Sequence, residues 1–196
     1  MTNEAEDIEP RERTQRLGNI VRDELTDVVR RHHLGLLAAL PIPVGAMGRT
    51  RSMVLRACGW NVGRGAVMAQ TPRLIGSGPL LERLHIGAEV FVNLGNVWEL
   101  SDRVYIDDRV AIGQDVMLLT SSHRIGSSVR RADELFTAPV TVDSGVWIGA
   151  RSLVLPGVHI GEGALVAANT VVREDVPANV LFAGNPGRVI RPLDNN

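Results

Sequence analysis

From Val142 onward, every sixth residue is aliphatic: Val142, Ile148, Val154, Ile160, Val166 and Val172. Four residues after each stands a small or β-branched side chain: Val146, Ser152, Val158, Ala164, Thr170 and Val176. The same frame runs upstream through Leu100, Ile106, Ile112 and Leu118, with Val104, Val110, Val116 and Ser122 four residues on. Ile86 and Val92 keep the period but stand two residues out of phase, as an insertion near 96–98 would produce. A single helical face repeats at about 3.6 residues and a half-buried strand at 2. A period of six preserves strand alternation and does not hold one helical face over many units. Such a period predicts an all-β solenoid, a parallel β-helix in which each hexapeptide supplies a short strand and a corner. Three units make a triangular coil, coils stack at ~4.8 Å, and the inward aliphatic residues form one continuous core.

The repeat breaks once, at 123–139. This segment carries Arg124, Arg130 and Arg131 and lacks the period, so it is expected to leave the stack as an external loop. Long loops on regular scaffolds commonly carry function. Ahead of the repeat, 10–40 reads as a helix with Leu17, Ile20, Val21, Leu25, Val28 and Val29 on one face, bounded by Pro10 and Pro41. Two segments follow: 1–58, helical and apolar, and 59–196, the repeat domain. Within the first, 34–47 is apolar but interrupted by Pro41 and Pro43, and is shorter than the ~20 residues needed to span a bilayer. It is expected to cap the open end of the stack; the alternative is contact with a membrane surface.

Composition narrows the function. With 21 basic and 22 acidic residues, the chain lacks the strongly basic face of a general nucleic-acid binder. A lone cysteine, Cys58, excludes an internal disulfide and a multi-cysteine zinc site, and is expected as a small packed residue. Met1 to Glu12 is acidic and polar, unlike a secretory leader, so the chain is expected in the cytoplasm, at most at the inner membrane surface.

The run VWIGARSLVLPGVHIGEGALVAANTVVREDVPANVLFAGNPGRVIR resembles the C-terminal half of maltose and galactoside O-acetyltransferases, and their relatives in exopolysaccharide and antibiotic acetylation. The run IGAEVFVNLGNVWEL and the segment LLTSSH are similar to the same group. The resemblance covers 84–192. It implies a left-handed β-helix, a homotrimer with active sites between subunits, and acetyl-CoA as donor, with no metal. On it, His123 falls on the catalytic histidine, a residue type suited to take a proton from a hydroxyl near neutral pH. Asn93 falls on an asparagine near the reacting centre. Where the family has an acceptor-binding aspartate, this chain has Ser101, so Glu99 or Asp102 would stand in. For the cofactor, the resemblance implies Trp147, Ala150 and Ala168 along the pantetheine arm. Arg173, Arg188 and Arg191 would serve its phosphates, for which arginine offers a forked donor set.

The reaction implied is acetyl transfer to a hydroxyl of a sugar or saccharide intermediate. Alternatives are an antibiotic or other hydroxylated or amino metabolite as acceptor, or a non-catalytic scaffold. A gamma-type carbonic anhydrase needs three zinc-binding histidines, two close together, and none lies within thirty residues of His123. A sugar nucleotidyltransferase tail would follow a nucleotide-binding α/β domain, and too few residues precede 84 for one. His85 and His159 precede inward isoleucines and are expected to point outward.

Overall fold

The computed structural model describes residues 48–194; the readings for the helix at 10–40 and for 34–47 lie outside the described residues. The stack opens with strands β1 (Asn61–Val62), β2 (Val67–Met68) and β3 (Arg73–Ile75). The next coil holds β4 (Leu84–Ile86), β5 (Phe91–Val92) and β6 (Val97–Glu99), and the third β7 (Val104–Ile106), β8 (Ala111–Ile112) and β9 (Met117–Leu118). The chain then leaves the stack as an antiparallel hairpin, β10 (Ser121–Ile125) and β11 (Ala132–Thr137). It returns through β12 (Val140–Val142), β13 (Trp147–Ile148) and β14 (Leu153–Val154), then β15 (His159–Ile160), β16 (Leu165–Val166) and β17 (Val171–Val172). A closing hairpin, β18 (Val180–Gly184) and β19 (Gly187–Pro192), covers the C-terminal end.

These strands form the three faces of a triangular solenoid. The first sheet runs β1–β4–β7–β12–β15, the second β2–β5–β8–β13–β16–β18–β19, and the third β3–β6–β9–β14–β17. Pairing within the stack is parallel, with like positions in register: Val92 opposite Ile112, Ile112 opposite Ile148, and Ile148 opposite Val166. The predicted inward column is the core. Val142, Ile148, Val154, Ile160, Val166 and Val172 are fully buried, as are Val104, Val116 and Val146. Ser152 and Thr170, polar residues at tight corner positions, are also buried; the Ser152 hydroxyl donates to the Ala167 carbonyl at 3.0 Å.

The structure relocates the phase slip. Trp98, not Leu100, occupies the inward position opposite Leu74 and Leu118, and is completely buried. The extra residues follow it, so the coil widens between Trp98 and Ile106, with Leu100 as a second buried side chain. The excursion also starts earlier than expected. Ser122 is already exposed in β10, and Thr120 is the last completely buried residue before it.

Helix α1 (Gly48–Ala57), which no periodic signal marked, covers the edge of the first coil. Its buried face holds Arg51, Ser52 and Leu55. The Arg51 guanidinium donates to the Ala69 carbonyl at 2.9 Å; Arg56 donates to Val62 at 2.7 Å and also to Gly63. These carbonyls belong to or follow β1 and β2, the first strands of their sheets. Two side chains thus satisfy groups that would otherwise template a further strand. Cys58 is exposed, contrary to the expectation of packing: it lies in the turn that ends α1, its N–H donating to the Val54 carbonyl at 2.9 Å. Helix α2 (Leu80–Arg83) bridges the first two coils. No helix among the described residues is long and apolar enough to cross a membrane.

Because each inward side chain is wedged between its equivalents above and below, truncation leaves a void the stack cannot close. Ile148→Ala is expected to lower unfolding stability by about 2–5 kcal/mol, with the fold retained, in urea titration followed by circular dichroism.

Candidate functional site

Two features stand apart from the regular stack: a groove on the second sheet and the hairpin carrying His123. The groove crosses four successive rungs of that sheet, β5, β8, β13 and β16, and has a volume of about 440 Å³. At ~4.8 Å per rung it runs roughly 14 Å along the stack. Its floor is backbone. A Cβ on Gly113 would lie 2.6 Å from the Ala150 nitrogen, and one on Gly149 would lie 2.4 Å from the Ala168 nitrogen. Small residues at this corner let the coils touch main chain to main chain and leave a shallow trough outside. Phe91 and Trp147, 42% and 55% exposed, form its apolar wall.

Four predicted site residues meet here: Asn93, Trp147, Ala150 and Ala168 all line the groove. The Asn93 Oδ1 accepts the Leu94 N–H at 2.9 Å, which leaves Nδ2 as the donor end of its amide. Neighbouring Asn96 is buried and donates from Nδ2 to the carbonyls of Asn93 and Gly113, at 2.9 and 3.0 Å, bracing the wall between two coils. Phe91, Gln114 and Asn96 escaped sequence reasoning. The glycine and alanine corners at Gly113, Gly149 and Ala167 were the available signal.

The arginines lie apart from this cluster. In the closing hairpin, Arg188 and Arg191 stand opposite Ala183 and Leu181, and Leu181 in turn stands opposite Leu165 of the groove. Directly opposed residues share a sheet face, so both arginines continue the grooved face beyond its C-terminal end. Arg173 follows β17 on the third sheet and is exposed.

His123 is exposed and sits in β10, paired with Leu135 of β11. Its Nδ1 lies 2.7 Å from the Asp133 carbonyl oxygen. A carbonyl only accepts, so Nδ1 is the donor here, and in the neutral ring the lone pair lies on Nε2, on the opposite side. The contact therefore selects, for the neutral ring, the tautomer whose basic atom is Nε2. His85 and His159 point outward, as the alternation predicts; His159 pairs with Asp143 at 2.8 Å and His85 with Asn61 at 2.8 Å, both on the first sheet.

The two candidate acceptor carboxylates behave differently. Glu99 is 9% exposed and turned into the protein. Its Oε1 accepts the Ser101 N–H at 2.9 Å; its Oε2 accepts the Thr120 N–H at 2.7 Å and the Thr120 hydroxyl at 2.9 Å. Burial acts to raise its pKa, but the hydrogen bonds from Ser101 and Thr120 outweigh that and hold it below the ordinary glutamate value. Asp102 is half-buried; its Oδ1 accepts the Arg103 N–H at 2.7 Å.

Comparison with known proteins agrees with this architecture. Residues 139–174 match the family described as bacterial transferase hexapeptide (six repeats). The chain is 35% identical over 113 residues to the galactoside O-acetyltransferase of Escherichia coli, a match covering 57% of this chain and 55% of that protein. The chain thus spans about half the length of the curated relatives it matches. A hexapeptide-repeat acetyltransferase from Vibrio cholerae, solved with acetyl coenzyme A, superposes with a TM-score of 0.68 at 28% identity, covering 85% of this chain and 88% of that one. A maltose O-acetyltransferase from Clostridium difficile superposes at 0.71 with 25% identity, covering 90% and 89%.

The Glu99 network sets an acid limit. A carboxyl held below its unfolded pKa contributes stability that is complete above the ordinary glutamate range, near pH ~4.3, and is lost as pH falls through the folded value beneath it. Melting temperatures from pH 7 to pH 3 should fall more steeply for the wild type than for Glu99→Gln at the acid end of that range.

Proposed function

We propose that the chain is a coenzyme A-dependent O-acetyltransferase, moving an acetyl group from acetyl-CoA to a hydroxyl of a sugar or saccharide intermediate. The observation that carries this reading is the hydrogen bond from His123 Nδ1 to the Asp133 carbonyl, which turns Nε2 away from that bond as the basic atom of the neutral ring, on an exposed hairpin. A sugar hydroxyl is a weak nucleophile at neutral pH. As its oxygen bonds to the acetyl carbon, its proton passes to Nε2, the C–S bond breaks, and the departing thiolate takes that proton from the imidazolium. The resting histidine is restored, and no net charge is left behind.

The groove suits the donor. Its length and slim backbone floor fit an extended pantetheine arm, and its apolar wall fits the arm's methylene and dimethyl groups. Trp147, Ala150 and Ala168 would line the arm, and Arg188 and Arg191, beyond its end on the same face, would meet the phosphates; Arg173 is a further candidate. Asn93, with Nδ2 as donor, and Asp102, with one oxygen outside its hydrogen bond to Arg103, would orient the acceptor. The relatives named above, a galactoside and a maltose O-acetyltransferase, support a saccharide hydroxyl.

His123 lies outside the groove lining. We therefore assign the complete site to a homotrimer, in which one copy's hairpin meets another copy's groove. The third sheet supports association. Its outward row is apolar over four rungs, Val97, Met117, Leu153 and Val171, and charged only at Arg73 in the first coil, whereas the first sheet shows Asn61, His85, Tyr105, Thr141 and His159. Parallel sheets are ordinarily covered on both faces.

With a panel of hydroxylated acceptors and thiol release as readout, His123→Ala is expected to lower kcat by about 10²–10⁴. Arg188→Ala should raise KM for acetyl-CoA roughly tenfold while changing kcat little, as for a charge-assisted bond present before and during reaction. Sedimentation should give three times the 21.2 kDa chain mass; a monomer at assay concentration contradicts the shared site.

A further inference from the structure

The hairpin that carries His123 is a two-stranded ribbon whose side chains are exposed from Ser122 to Leu135 apart from half-buried Gly126. Such a ribbon is marginal by itself in water, so its aim depends on its root. That root is Thr120, completely buried, and every polar atom of it is engaged. Its N–H donates to Glu99 Oε2 at 2.7 Å. Its hydroxyl proton has two acceptors at 2.9 Å, Glu99 Oε2 and the Glu99 carbonyl. Its Oγ1 accepts the Asp102 N–H at 3.0 Å, and its carbonyl accepts the Ala138 N–H at 2.9 Å, closing the returning leg.

A nearly buried carboxylate is costly unless several donors face it. Here three donors do, and two belong to the residue from which the hairpin departs. We propose that Glu99 is the positioning residue for His123: lodged in the widened coil after Trp98, it clamps Thr120 and so fixes where the imidazole is presented. This rests on the general-base reading of His123, and it gives Glu99 a task distinct from acceptor contact. Glutamine at this position keeps the size of the side chain but supplies one acceptor oxygen and an N–H pair, so either Ser101 or Thr120 faces a donor.

The test combines a double-mutant cycle with hydrogen exchange. Glu99→Gln should lower kcat about 10–100-fold with KM for acetyl-CoA within about twofold, a loss typical of a misplaced catalytic group. In the His123→Ala background the same change should lower kcat no further. Amide exchange across 121–137 should quicken in Glu99→Gln while 140–172 stays protected, a readout that needs no substrate. Should Glu99→Gln fail to fold, Thr120→Val, which removes the hydroxyl, takes its place, and Thr120→Ser should recover most of what Thr120→Val loses. Unchanged exchange in the hairpin, or an equal loss of turnover with and without His123, overturns the proposal. Wild-type turnover in His123→Ala would defeat the general-base reading instead, leaving the exchange measurement to decide whether Glu99 roots the hairpin.

Discussion

The molecule depends on register. Each short strand donates and accepts backbone hydrogen bonds with the equivalent strand one coil away, as when the Trp147 N–H meets the Ala164 carbonyl at 3.0 Å and the Ala111 N–H meets Val146 at 2.9 Å. Strands of two or three residues have almost no stability alone. They persist because every inward side chain rests on its counterpart, so the core is a column and not a cluster. A one-residue slip would turn that column outward. This is why aliphatic residues recur so strictly, and why any added residue must be accommodated outside the column.

Two such accommodations meet. The widening after Trp98 and the departure at Thr120 lie on adjacent coils, joined by the Glu99 carboxylate. A solenoid offers flat, repetitive faces with little capacity to single out one imidazole. Chemistry that needs a defined base therefore has to be built where the repeat is broken, and the break must be anchored where the repeat is strongest. Thr120 satisfies both demands, being wholly buried and yet three residues from an exposed histidine.

Much of this was legible in the sequence. The column from Val142 to Val172, the outward histidines and the one excursion follow from a period of six read against strand alternation. The corners were less visible. Arg109, Asp115, Arg151 and Asn169 adopt positive φ between 56° and 62°, a conformation glycine or asparagine would announce and arginine does not. The slip was misplaced because Leu100 is as aliphatic as the frame demands; only packing shows that Trp98 holds the position. The Glu99–Thr120 pair was invisible for a different reason. It joins residues on neighbouring coils through a wide turn, and the sequence offers Glu99 only as an acceptor-facing carboxylate, with nothing to pair it with Thr120. Helix α1 lacked a signal because its buried face is held by arginines, which hydropathy counts as exposed.

On the proposed function, the groove and the base divide one task between opposite physical requirements. The groove needs smallness: glycine and alanine bring coils so close that only backbone separates a ligand from the core. The base needs reach and exposure, which a tight corner cannot provide, since any side chain long enough to act there would fill the trough. Placing the imidazole on a projecting ribbon resolves the conflict at the expense of rigidity. The Asp133 carbonyl then restores the ring's orientation locally, and the buried carboxylate at the ribbon's root restores its direction. On that reading, precision at His123 comes from two hydrogen-bonded anchors, one at the ring and one at the root, on an element that has almost no core of its own.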